Sequence, residues 1–183
     1  MREPMSIHEI VLPDTKPETE WILGRAVQKV SPFRTHARLQ MAFGAALLSW
    51  SEGRGEVGTE WRFRVAPPGE IRRPLAPDIA FVSSGRLAGL EGRELEAPAF
   101  SPDVAVEIRS PGDRARRIEH KIGVYLATGA SLVIVVDPSD RTVRLHDGRG
   151  AHELCGDDVI RHPGLPGFSL PLTELFKAAD PPR

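Results

Sequence analysis

The stretch SPDVAVEIRSPGDRARRIEHKIGVYLATGASLVIVVD, residues 101–137, decides the fold. Residues 103–108 read as a strand. The turn Ser110-Pro111-Gly112-Asp113 follows, with Asp113 placed as a helix N-cap. Residues 114–128 then set Ala115, Ile118, Ile122, Tyr125 and Leu126 on one face at helical spacing, and Gly129 supplies the C-terminal stop. Residues 132–136 are five consecutive apolar residues between turn signals, which predicts a strand covered on both faces at the centre of a sheet.

Outward from this unit, PDIAFV at 77–82 is a second apolar strand beginning at Asp78. Residues 59–65 alternate Trp61, Phe63 and Val65 with Glu60, Arg62 and Arg64, as one strand does. Leu39, Phe43, Ala46, Leu47 and Trp50 predict a helix over 33–50, stopped by 51–55. Residues 21–23 and 26–30 flank Gly24-Arg25 as a hairpin. Residues 1–19, with Pro4, Pro13 and Pro17, read as an irregular arm ahead of one domain over 20–183. Downstream, 142–146 alternates as in an edge hairpin, and short strands lead to a last helix at 172–177. This order of elements predicts an α/β fold, a mixed sheet with helices on its faces and an N-terminal hairpin.

Composition limits the function classes. The 183 residues carry 24 Lys+Arg against 25 Asp+Glu, a formal charge of -1, so any phosphate-binding surface must be local. With 40% apolar residues the chain can build a core and is not globally disordered. The lone Cys155 allows neither an internal disulfide nor a CxxC metal site. No apolar run reaches the roughly 20 residues of a membrane span, and the expected location is cytoplasmic. His146, His152 and His162 lack metal-ligand spacing, and Trp21, Trp50 and Trp61 are expected to be packing anchors.

The chemistry concentrates in two Pro-Asp strands. Asp103 and Glu107 share a strand face but lie roughly 13 Å apart, too far to share one ion. Asp78 can approach Glu107 from a neighbouring strand. Two such carboxylates give the oxygen environment preferred by Mg²⁺, with Mn²⁺ as substitute, and a metal there polarises a phosphoryl oxygen and activates water. A cation is still needed. Arg109 shares the face of Glu107, and Lys121 falls at the rim of the helix's apolar stripe, where its ammonium can reach a cleft. Lys121 is one of four lysines (Lys16, Lys29, Lys121, Lys177) among 24 basic residues, and a lysine suits a site needing a compact charge. Arg114, Arg116 and Arg117 add a basic segment fit for nucleic-acid phosphates. A salt bridge from Glu107 to Arg109 or Lys121 is the competing structural reading.

The blocks PDIAFVSSGRL, SPDVAVEIRSPGDRARRIEHKIGVYLATGA, VIVVDPSDRTVRLH and LPGFSLPLTELF, with their spacing, resemble the Uma-type putative restriction endonuclease family of the PD-(D/E)xK nuclease-fold superfamily. The resemblance runs from Trp21 to Phe176. It implies a restriction-endonuclease-like mixed sheet of four or five strands and a Mg²⁺-dependent endonuclease acting on nucleic acid, DNA foremost, leaving 5′-phosphate and 3′-hydroxyl ends. It matches Asp78 to the motif aspartate and Glu107 to the second acid. Arg109 stands where the family motif has lysine, and the resemblance moves that role to Lys121. It also assigns His36 to a recurrent family histidine and offers Glu60 as a third metal acid. The arginine substitution supports a rival reading, a nuclease-fold module that binds nucleic acid without cutting it. A homodimer is compatible with either.

Overall fold

In chain order, the elements of the computed structural model, which describes residues 9–181, are β1 (Thr19–Ile22), β2 (Arg25–Gln28), α1 (Arg34–Trp50), β3 (Gly55–Thr59), β4 (Phe63–Val65), β5 (Arg73–Leu75) and β6 (Ile79–Ser83), followed by the short helices α2 (Ser84–Leu87) and α3 (Gly92–Glu96). Then come β7 (Val104–Ile108), α4 (Ala115–Ala127), β8 (Leu132–Asp137), β9 (Thr142–Asp147), β10 (Gly150–Leu154), β11 (Val159–His162), β12 (Leu165–Pro171) and α5 (Leu172–Lys177). The central sheet has six strands in the order β10-β9-β8-β7-β6-β3. Only β7 and β8 run parallel, joined through α4; the other pairs are antiparallel. The fold class is the expected one, with more strands than the four or five implied. Residues 1–8 of the expected arm lie outside the described residues.

Strand alternation divides the core into two layers. Ile79 and Phe81 of β6, with Val104, Val106 and Ile108 of β7, face α1, α5 and the β11–β12 hairpin. Ala80, Val82 and Ala105 face α4 and the β4–β5 pair, where Tyr125, Phe63 and Leu75 are fully buried. The α1 layer is held by Leu39, Phe43 and Leu47, each 0% exposed; burying each contributes roughly 1.5–3 kcal/mol. His36 lies on the same helical stripe, one turn N-terminal to Leu39, so the packing that fixes α1 also fixes His36.

Three local expectations are corrected. Residues 59–65 are not one strand: the backbone turns at Glu60, φ +53°, separating β3 in the central sheet from β4 in a two-stranded sheet with β5. β3 was hidden by its glycines, yet a Cβ at Gly55 would lie 2.1 Å from the Val82 carbonyl oxygen, so close strand approach demands glycine there. Asp113 does not cap α4; its Oδ2 accepts from the Ser110 amide at 2.7 Å, closing the turn, and Arg114 holds the N-cap position. The expected edge hairpin is present, with β9 pairing antiparallel to β10, the outermost strand of the sheet.

The third correction concerns Lys121, which is not at a rim. It is 4% exposed, at the centre of the buried face of α4 with Val124 and Tyr125, while Ala115 is exposed. Apolar periodicity placed the stripe about a quarter turn off, since it could not register that buried carboxylates draw a lysine inward.

Candidate active site

Register brings the two acids together. Ile79 pairs with Val106 across antiparallel β6 and β7, so one step outward sets Asp78 beside Glu107, both on the α4 side of the sheet. They are 2% and 4% exposed. The hairpin β1–β2 closes over them: Glu20 from β1 and Lys29 just after β2 reach the same spot. The turn at Leu23-Gly24, with φ of +51° and +77°, has the two left-handed residues a two-residue hairpin loop requires.

The side chains interlock. Asp78 Oδ1 accepts from Lys29 Nζ at 2.6 Å; its Oδ2 accepts from the Ile108 amide at 2.7 Å and lies 3.2 Å from His36 Nε2. Lys29 also pairs with Glu60 Oε2 at 2.9 Å and donates to the Ala76 carbonyl at 3.2 Å. Lys121 Nζ lies 2.6 Å from Glu107 Oε1 and 2.9 Å from Glu20 Oε1, and the Tyr125 hydroxyl donates to Glu107 Oε1 at 3.0 Å. Glu20 Oε1 additionally accepts from the Ala76 amide at 2.9 Å. Gln40, one turn after His36, donates to the Asp78 carbonyl at 2.8 Å. Among the described residues, Glu107 Oε2 has no hydrogen-bond partner, and Glu107 lines the cleft that opens above the cluster.

Burial and charge set the protonation states. Burial opposes the charge on Asp78, but Lys29 and the His36 hydrogen bond outweigh it and hold the carboxyl well below its ordinary range. Burial pushes Glu107 up to about 7; Lys121 pulls it back, while Asp78 and Glu20 push with burial. For Lys29 and Lys121 burial would discharge the ammonium, yet the surrounding carboxylates, Asp78 foremost for the first and Glu107 for the second, raise both and keep them protonated. His36 is raised by its hydrogen bond to Asp78 against the effect of burial. Burial and Glu107 raise Tyr125 well above 10, so it serves as a neutral donor.

The cleft has a volume of about 600 Å³, and its lining carries six carboxylates against four Lys and Arg side chains. Of the six expected site residues outside the basic segment, five line it: Asp78, Glu107, Lys121, His36 and Glu60, joined by Arg117 from that segment. Arg109 is elsewhere. Beyond the end of β7 it forms an ion pair with Asp137, with 38% of its side chain exposed, so it does not serve Glu107. Arg114 and Arg116 point to solvent; the basic segment is therefore not one face. Glu60 meets Asp78 through Lys29, not through a shared ion site, and no three His, Cys, Asp or Glu side chains form a ready metal cage among the described residues. Lys29, Glu20, Gln40 and Tyr125 were missed. The scarcity of lysine was a signal for Lys29; nothing in the sequence singled out Glu20.

The donor set still suits one divalent ion. Mg²⁺ is ordinarily held by one or two carboxylates and completes its shell with water. Asp78 and Glu107 supply two, an oxygen of Glu107 has no hydrogen-bond partner among the described residues, and the excess of carboxylates around the cleft favours an added cation.

Comparison with known proteins agrees with this arrangement at the level of family and fold. The family model described as Uma2, putative restriction endonuclease, matches residues 8–173. The crystal structure of a putative nuclease belonging to DUF820 from Anabaena variabilis ATCC 29413 is 24% identical, superposes with a TM-score of 0.82, and covers 92% of this chain and 94% of its own. At that identity the likeness shows the fold alone. No curated protein matches the chain.

Proposed function

The chain belongs to the Uma2 putative restriction endonuclease family, and from this premise we propose that it is a divalent-metal-dependent nuclease that hydrolyses phosphodiester bonds in nucleic acid, DNA foremost. One observation carries the reading: Asp78 and Glu107 sit side by side at the base of a cleft, with a buried lysine on Glu107 and an oxygen of Glu107 unpartnered among the described residues.

Asp78 and Glu107 would hold Mg²⁺ or Mn²⁺, which supplies Lewis acidity toward a phosphoryl oxygen and lowers the pKa of a bound water. Lys121, kept protonated by Glu107 and Glu20, contributes a fixed positive charge at the cleft base against the charge that develops on phosphate. His36 and the Ile108 amide orient Asp78 through its Oδ2, and Tyr125 orients Glu107. Such fixed donors keep both carboxylates in one geometry before substrate arrives. Arg109 has no part in this chemistry, because its partner is Asp137.

The test is cleavage of labelled nucleic acid by the purified protein with Mg²⁺ or Mn²⁺. Metal-dependent cutting that is lost in Glu107→Ala is expected; no cutting of any DNA or RNA, or cutting that survives Glu107→Ala, contradicts the reading. A second reading, a binding module without catalysis, is favoured by one observation: both oxygens of Asp78 already accept from groups of the chain itself. It predicts no divalent site involving Asp78 and Glu107.

A further inference from the structure

We infer that the cleft receives a single nucleic-acid strand, either free or splayed from a duplex, and that an intact duplex cannot reach its base. The inference rests on the nuclease reading above and narrows its substrate.

Access comes first. Asp78, Glu107 and Lys121 are 2%, 4% and 4% exposed, yet a phosphate would have to reach an ion that the two carboxylates would hold at the base of the cleft. In a duplex the phosphates lie on the outside of a stiff two-stranded rod, with persistence of about 150 base pairs, and cannot leave its surface singly. The β1–β2 hairpin roofs the site and is fastened at two points, by Lys29 on Asp78 and by Lys121 on Glu20. What remains open is a cleft of about 600 Å³, within the roughly 300–1,000 Å³ of pockets that enclose one small-molecule-sized unit.

The walls agree. Ile22, Val27 and Ile118 line the cleft above the acids. Duplex DNA hides the apolar faces of its bases in the stack, whereas a single strand presents them for packing, so an aliphatic wall fits an unstacked base. Lys16 and Arg117 also line the cleft, and Arg117 Nε is buried without a hydrogen-bond partner among the described residues. These two cations suit the phosphates that flank the enclosed unit.

Fluorescence anisotropy with a labelled mixed-sequence oligonucleotide tests this, with Ca²⁺ in place of Mg²⁺. The same sequence is presented as a single strand, a blunt duplex and a forked duplex. The single strand should bind at least about tenfold more tightly than the blunt duplex, a difference of roughly 1.4 kcal/mol, and Mn²⁺ should restrict cutting to the unpaired arms of the fork. Val30 lines the cleft and is 69% exposed, so Val30→Glu leaves the core intact; it should weaken single-strand binding several-fold. Equal or tighter binding of the blunt duplex, cutting within paired DNA, or an unchanged Val30→Glu variant overturns the inference. Strand-selective binding without any cleavage supports the cleft assignment and sinks the nuclease reading alone. No binding of any nucleic acid overturns both.

Discussion

Replacing Lys121 by methionine and Arg109 by alanine should separate two cations that sequence spacing placed equally near Glu107. Lys121 is 4% exposed and bridges Glu107 and Glu20, themselves 4% and 3% exposed. Methionine keeps the packing volume but leaves two buried carboxylates facing each other without a counter-charge. Removing one partner of a buried pair costs roughly 3–5 kcal/mol. The side chain of Arg109 is 38% exposed and has Asp137 as its ionic partner; exposed pairs contribute roughly 0.2–1 kcal/mol. Urea unfolding in the presence of EDTA reads the difference. With a slope of about 2 kcal/mol/M, the midpoint should fall by roughly 1.5–2.5 M for Lys121→Met and by no more than about 0.5 M for Arg109→Ala. Adding Glu107→Gln to Lys121→Met should recover part of the loss, because one stranded charge is gone. Equal shifts for the two single variants would refute the assignment of Lys121, rather than Arg109, to the acid cluster.

Two further outcomes follow from local structure. Leu23 is held at φ +51° in the hairpin loop and is 37% exposed; Leu23→Asn, which relieves a left-handed cost of roughly 1–2 kcal/mol, should raise the urea midpoint, and a lower midpoint would contradict the loop geometry. Burial disfavours the charge on Asp137, but the Ser139 hydroxyl and amide, with Arg109, hold its carboxyl below 3.8. An acid depressed in the folded state stabilises above its unfolded value and loses that contribution as pH falls through the folded one. Wild type should therefore exceed Asp137→Asn in stability by a constant margin above about pH 5, and the margin should shrink below about pH 4. A margin that grows on acidification would reverse the sign.

The legible parts were those in which local pattern and burial agree. The five apolar residues at 132–136 marked the strand β8 at the middle of the sheet, and the final helix fell at the expected residues. Glu107 was legible because a carboxylate inside an apolar strand demands a partner, and Asp78 because a neighbouring strand can bring it alongside. The failures share one cause: long-range contacts overriding a local signal. Gly55 looked like a breaker, although its missing side chain is what lets β3 approach β6. Lys121 looked peripheral because hydrophobicity alone draws the stripe of α4, and the charges that bury it lie on β1 and β7. Arg109 followed the strand pattern only on paper, since β7 ends at Ile108 and the next side chain turns to Asp137. Glu20 and Lys29 depend on a hairpin folding back across the sheet, which spacing in the chain does not encode.

The most direct test of the central claim is a calorimetric titration of the metal-free protein with Mn²⁺, run beside Glu107→Gln. The wild type should show a saturable divalent site that is lost in the variant, with Arg109→Ala titrating like the wild type. No binding heat in the wild type, or a site that persists unchanged in Glu107→Gln, would contradict it.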